Sequence, residues 1–284
     1  MIADWQTNKI YLSGKLKEKF PKTYKMLIEQ LNAFGYIPRI LQNTFDIWTR
    51  DYMPVQIAKN KFIEYRYDPD YLQGNSEEID TRELKTYPDI VCETIGLKAI
   101  KTDIIIDGGN IVKSDNAVIL TDKVVWENAR HYSEKQLVKK LHDIFEVEKV
   151  ILIPWDEECD YGHADGMLRF INNDKIMISG FYETVDNELK QLILDSLEKA
   201  KINWDWLRVS EREIEDNIAY INFIQTKDLI LVPSLNRPED DEAIKQIAKN
   251  FPEYSSKNRI DKVDMREIVR FDGALNCITW TIKE

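Results

Sequence analysis

Residues 166–182 read GMLRFINNDKIMISGFY: an apolar run, a polar tip at Asn172-Asn173-Asp174, and a second apolar run. That is the pattern of a β-hairpin. Branched and aromatic side chains suit a pleated, half-buried surface, and Asn and Asp tolerate the backbone angles of a tight turn. The pattern recurs in PVQIAKNKFIEYRY (54–67), NIVKSDNAVILTD (110–122) and YINFIQTKDLILVPSL (220–235). It begins once more in NCITWTI (276–282), where only one strand is left.

Between the hairpins, apolar residues fall at three- and four-residue spacing in KTYKMLIEQLNAF (22–34), EKQLVKKLHDIF (134–145), ELKQLILDSLEKA (188–200) and DEAIKQIAKNF (241–251). Each predicts an amphipathic helix, the second opened by a capping box of Ser133 and Gln136. The stretch 77–96 is less regular, because Pro88 is expected to break or end a helix there. The acidic run RPEDDEA (237–243) reads as a solvated helix start matched to the dipole. Asp51, Asp107, His163, Asn222 and Cys277 stand at the heads of the hairpins, at intervals of 56, 56, 59 and 55 residues. A period of that size marks a repeat architecture. Five strand–strand–helix–strand units predict an α/β ring closed on itself, which removes exposed sheet ends. In such a ring Asp51, Asp107, His163 and Cys277 converge near the axis.

The chain of 284 residues is 43% hydrophobic and 31% charged, the balance of a globular protein, and is read as one domain over 1–284. A formal charge of −11 argues against nucleic acid, since phosphate binding needs a basic face. No run approaches the roughly 20 apolar residues of a spanning helix, so no membrane partner is expected. The first residues show no secretory pattern and the three cysteines are too few for a disulfide framework, so the expected setting is the cytoplasm. Oligomeric state is left open, a homo-oligomer included.

The neighbourhoods DIWTRDYMP, IDGGN, YGHADGMLRF and GALNCIT bring together a thiol, an imidazole and the carboxylates Asp51, Asp107 and Asp165. A cysteine beside a histidine is an activated nucleophile. Several carboxylates around it repel an anion and suit a cation whose planar donors they can clamp, a guanidinium. The chemistry that follows is thiolate addition to the guanidinium carbon, proton transfer from His163 to the departing nitrogen, loss of ammonia, and hydrolysis of the covalent thiouronium to a ureido product. It requires no cofactor and no metal.

These motifs, WTRDYMP, DGGNIV, GHADGMLRF, AYINFIQTKDLILVP and NCIT, run in order from Trp48 to Cys277. They resemble those of the agmatine deiminase and bacterial-type peptidylarginine deiminase family, within the guanidino-group-modifying enzymes. The resemblance implies a five-bladed α/β propeller, the pentein fold, with its site on the pseudo-fivefold axis. It also implies Cys277 as nucleophile, His163 as general acid/base, Asp51 and Asp165 as the guanidinium clamp, and Asp107 as a further catalytic carboxylate. Trp48, Arg50, Arg169, Gly109, Asn110 and Asn276 are named as substrate-facing. Trp48 is read equally as packing, and Arg50 and Arg169 also as ties to carboxylates within the cavity wall.

The sequence departs from the family pattern in three places. Asp107 stands where agmatine deiminases typically have Glu, Asn276 where a His precedes the cysteine, and Ala274 where a glycine is usual. The chain is also shorter than typical agmatine deiminases. Agmatine is the first substrate expected and peptidylarginine or free arginine the alternative. The alternative class is a non-catalytic binding protein on the same propeller, as in the ribosome anti-association factors. Asn222 has no obvious chemistry and is expected to be structural. Cys92 and Cys159 are expected to be ordinary buried thiols, and His131 and His142 to lie at the surface. The segment 66–78, RYDPDYLQGNSEE, is polar and turn-rich and is expected to be a lid.

Overall fold

Each hairpin gains a third strand, and the protein's structure, a computed structural model, describes residues 1–74, 80–184, 187–209 and 218–284. The strands are β1 (Lys9–Ser13), β2 (Arg39–Leu41), β3 (Val55–Ala58), β4 (Lys61–Arg66), β5 (Ile100–Ile105), β6 (Val112–Lys113), β7 (Ala117–Thr121) and β8 (Lys149–Ile153). They continue with β9 (Leu168–Asn172), β10 (Lys175–Ser179), β11 (Asn203–Leu207), β12 (Ile224–Thr226), β13 (Leu229–Ser234), β14 (Ile260–Asp264) and β15 (Thr279–Ile282). They form five three-stranded sheets: β3-β4-β5, β6-β7-β8, β9-β10-β11, β12-β13-β14 and β15-β1-β2. In every sheet the first two strands are antiparallel and the second and third parallel. A parallel step needs a crossover, and each is supplied by one of the helices Pro21–Ala33, Pro88–Thr94, Glu134–Phe145, Asn187–Ala200 and Glu239–Asn250.

The crossover helices bury one stripe each. In Glu134–Phe145 the stripe is Leu137, Leu141 and Phe145, at four-residue spacing. Each such side chain, taken fully out of water, contributes about 2 kcal/mol. The expected capping box is present, with the Ser133 amide donating to Gln136 Oε1 at 3.0 Å. Pro88 corrects the sequence reading: it starts a helix as its first residue rather than ending one, since the missing N–H is not needed there. The run 237–243 is also different from expectation at one residue. Asp240 is buried and accepts from the amides of Leu235 and Asn236, from Ser234 Oγ and from the Tyr220 hydroxyl.

The single strand left over at NCITWTI is completed from the other end of the chain. β15 pairs with β1, placing Tyr11 opposite Trp280 with ring centroids 4.8 Å apart. The Trp280 indole N–H donates to the Pro54 carbonyl at 2.8 Å, tying this blade to the next. The five units therefore form a five-bladed α/β propeller whose last blade joins both chain ends. The first strands of successive blades converge inward: Lys113 of β6 and Arg169 of β9 both pair with Asp4, which sits in a short helical turn, Asp4–Gln6. Among the described residues, no helix is long and apolar enough to cross a membrane.

Candidate active site

The five period positions all occupy the turn that leads into a blade's first strand. Asp51 lies in the helical turn Thr49–Tyr52 before β3, and Asp107 immediately precedes the turn Gly108–Asn110 before β6. His163 precedes the turn Ala164–Gly166 before β9, and that turn carries Asp165. Asn222 follows the turn Ile218–Ile221 before β12, and Cys277 lies just ahead of β15. Side chains 226 residues apart in the chain, those of Asp51 and Cys277, thus border one cavity.

Cys277 is 7% exposed. Its Sγ lies 3.3 Å from Asn222 Oδ1 and 3.7 Å from Asp165 Oδ2. Asn222 Oδ1 also accepts from the amides of Asn276, at 3.0 Å, and Cys277, at 3.2 Å. One amide oxygen thereby fixes the turn that presents the thiol. His163 has one nitrogen on each of two carboxylates: Nε2 is 3.0 Å from Asp107 Oδ2 and Nδ1 is 3.8 Å from Asp51 Oδ1. Asp51 Oδ1 is held in turn by the Gly109 amide at 3.0 Å. A Cβ at position 109 would lie 2.4 Å from His163 Nδ1 and 2.7 Å from that oxygen, so only glycine allows this approach.

Electrostatics set the resting protonation. Burial opposes charge on His163, but Asp51, the Asp107 hydrogen bond and Asp165 outweigh it and raise the imidazole to about 9. Burial first, then Asp165 and Asp51, push the Cys277 thiol well above its ordinary value. Burial also raises Asp51 to about 8, with His163 opposing and Asp107 and Asp165 adding to the shift. These shifts favour a protonated His163 and a neutral Cys277, while the charge on Asp51 is opposed by burial and supported by His163.

Cys277 and His163 border two adjoining cavities of about 430 and 580 Å³. Asp165 lines the smaller; Asp51 and Trp48 line the larger. Gly273 lets the Trp48 ring in close, since a Cβ there would stand 2.4 Å from Cζ3. Asp107 stands behind His163 and shares its Oδ2 with the Tyr71 hydroxyl at 3.0 Å.

Four of the residues named as substrate-facing lie behind this front. Arg50 is 7% exposed and its Nη2 donates to Asn276 Oδ1 at 3.0 Å. Asn276 passes the connection on, its Nδ2 donating to Asp165 Oδ2 at 2.6 Å. Arg169 is 3% exposed, pairs with Asp4 Oδ2 at 2.9 Å, and lies 5.0 Å from the Phe223 ring centroid. Asn110 Oδ1 accepts from the amides of Thr121, at 2.7 Å, and Ala164, at 3.3 Å. None of the four borders either cavity; their polar groups face protein partners. Gly109 likewise serves the carboxylate and the imidazole rather than the open space.

Several contributors were missed in the sequence. Tyr71 lies within the expected lid segment, whose residues 75–78 fall outside the described residues. Tyr67, Asp70, Tyr71 and Leu72 of that segment form a wall of the larger cavity. Lys123, 2% exposed, fastens this wall to the loop before His163 by donating to Asp70 Oδ1 and the Tyr161 carbonyl, each at 3.0 Å. Nothing in the sequence marks Lys123 as part of the site. Cys92 is buried with its thiol pushed up to about 12 by that burial, while Cys159 borders the smaller cavity.

An agmatine deiminase of Pseudomonas aeruginosa strain LESB58 is 25% identical over 213 residues, covering 62% of this chain and 56% of that protein. The chain spans about 60% of the length of the first curated relatives it matches. The solved structure of the C. jejuni agmatine deiminase superposes with a TM-score of 0.77 at 18% identity, covering 100% of this chain and 95% of that one. The agmatine deiminase of Enterococcus faecalis gives a TM-score of 0.74 at 19% identity, covering 100% and 95%. At these identities the structures speak for the fold. The sequence pattern of the Porphyromonas-type peptidyl-arginine deiminases matches residues 5–282, nearly the whole chain. The chain belongs to the Porphyromonas-type peptidyl-arginine deiminase family.

Proposed function

We propose that residues 1–284 act as one cysteine-dependent hydrolytic deiminase of a small cationic guanidine, converting agmatine to N-carbamoylputrescine and ammonia, in a cytoplasmic setting. The observation that carries this reading is the composition of the larger cavity. It joins Cys277 and His163 to five carboxylates, Asp46, Asp51, Asp70, Asp160 and Asp272, and no described Lys or Arg borders it. In the larger cavity the α-carboxylate of free arginine would meet no described cation, and Arg270, which borders the smaller cavity, is the one described arginine lining either space. Arg50 and Arg169 are engaged elsewhere, and Arg237 borders neither cavity. The agmatine tail carries an ammonium instead, which the field attracts.

A guanidinium between Asp51 and Asp165 neutralises the two charges that hold the Cys277 proton on. Substrate arrival therefore lowers the thiol pKa, the thiol proton is released to solvent, and the thiolate forms where its target already lies. The sulfur adds to the guanidinium carbon. His163, protonated at rest, gives its proton to the departing nitrogen, and ammonia leaves a thiouronium on Cys277. The imidazole, now neutral between Asp107 and Asp51, takes a proton from water as the oxygen attacks the same carbon. The C–S bond then breaks and the ureido product is released. The carboxylates hold the reacting carbon in line throughout, which is where positioning yields its rate gain.

The test is release of ammonia and ureido product by the wild type and by Cys277→Ala. The substrates are agmatine, free arginine, and peptides with internal or C-terminal arginine. Agmatine turnover lost in the variant is the expected result. Turnover only of peptides would move the substrate assignment, and silence of folded protein on all four would sink the deiminase reading.

A further inference from the structure

Asp46 takes no part in the reaction described above, yet it borders the same cavity as Cys277. It is 6% exposed, so more than nine-tenths of it is withdrawn from solvent. Its Oδ1 accepts from the Trp48 amide at 2.8 Å. That bond leaves the second oxygen without a hydrogen-bond donor among the described residues, and no described cation lies within ion-pair distance. The other carboxylates of this cavity are accounted for differently. Asp51 faces His163, Asp70 is paired with Lys123, and Asp160 and Asp272 are exposed.

A buried carboxylate without a counter-ion is costly, and proteins normally pair or neutralise it. Burial raises Asp46 to about 7, with the Trp48 amide and the more distant Lys19 opposing the shift. The hydrogen bond to Trp48 explains a turn-forming residue here, but Asn would make that bond without the charge. What the charge adds is an affinity for a cation entering the cavity. Trp48, two residues on in the chain, borders the same cavity as Asp46 and Cys277. Its flat face suits a methylene chain lying between two charged ends.

We propose that Asp46 is the specificity-determining residue that receives a primary ammonium at the far end of the substrate, while the guanidinium lies at Cys277. That role presupposes a guanidine held at Cys277, as in the reaction proposed above. It makes the site selective for ω-guanidinoalkylamines over guanidines with neutral tails, and it sets a preferred tail length.

The decisive measurement is calorimetric binding to Cys277→Ala and to the double variant Cys277→Ala/Asp46→Asn, so that turnover plays no part. The ligands are agmatine, butylguanidine, and guanidinoalkylamines with three and five methylenes. In Cys277→Ala, agmatine should bind about 30-fold more tightly than butylguanidine, the scale of one partly buried charge pair. In the double variant that gap should shrink to about threefold or less, with the dependence on tail length flattened. Asn keeps the bond to Trp48, so a purely structural Asp46 predicts an unchanged gap, and that result would overturn the assignment. Equal affinity for agmatine and butylguanidine in Cys277→Ala would overturn it as well. Wild-type turnover of agmatine, measured alongside, separates the two ideas. Turnover with an unchanged gap refutes only the role of Asp46, whereas no turnover and no binding of any guanidine refutes the deiminase reading itself.

Discussion

His163 rests against Asp107, Nε2 3.0 Å from Oδ2, while the Tyr71 hydroxyl donates to that same oxygen from 3.0 Å. The other oxygen of Asp107 is buried with no hydrogen-bond partner. Asp107 therefore has two donors on one side and is turned wholly toward the imidazole. One methylene shorter than the glutamate typical of agmatine deiminases, it still reaches the histidine.

The first prediction concerns pH. His163 is raised to about 9, so the acid form needed for ammonia departure persists through neutral pH and is lost as pH climbs past that value. Asp107→Asn removes one of the charges that raises it. The alkaline fall of kcat/KM should move to lower pH, and the maximum should drop by about 100-fold, within the range of general acid–base catalysis. A profile with an unmoved alkaline limb would show that Asp107 does not govern the imidazole.

Cys277 should behave as a slow thiol until substrate arrives. Inactivation by iodoacetamide at pH 7 is expected to be slower than for an ordinary free cysteine, because burial, Asp165 and Asp51 all hold the proton on. Asn222→Asp keeps an acceptor for the amides of Asn276 and Cys277 but places a charge beside a sulfur 3.3 Å away. Inactivation should slow further in that variant. Faster inactivation would mean that the thiol is already ionised at rest.

Gly109→Ala tests the close approach. The added methyl needs space now held by His163 Nδ1 at 2.4 Å and Asp51 Oδ1 at 2.7 Å. A displacement of about 1 Å costs on the order of 100-fold in rate. Activity should fall by that amount while thermal unfolding shows the protein still folded. Near-normal kcat/KM would mean that the imidazole has room to move without penalty.

Behind the cavities, Asp4 neutralises Lys113 and Arg169, which are 6% and 3% exposed. Asp4→Asn leaves two buried cations sharing no counter-ion, and breaking such an arrangement typically costs about 3–5 kcal/mol. Urea unfolding should report a loss in that range. A change under about 1 kcal/mol would show that the cations find another partner at the axis.

Much of this organisation was readable from residues 51–277. The 56-residue spacing marked the turns ahead of the blades, and apolar periodicity marked the strands and crossover helices, because both depend on neighbours within one unit. Pro88 was misjudged, since proline is as compatible with the first turn of a helix as it is hostile to the interior. The partner of NCITWTI was not foreseen. β1 is a short run, KIYLS, near the opposite end of the chain, and pairing across 269 residues, from Tyr11 to Trp280, leaves no local trace.

The sequence by itself determined the repeat, the hairpins and the identity of the thiol, imidazole and carboxylates that the turns carry. Only the tertiary structure decided which charges face the cavity. Arg50 and Arg169 turn away because Asn276 and Asp4 are there to receive them, and Asp46 has no cation within ion-pair distance among the described residues. The physical reason is range: strand and helix patterns follow from interactions a few residues apart. The state of a buried charge instead depends on which distant groups ring closure brings within a few ångströms.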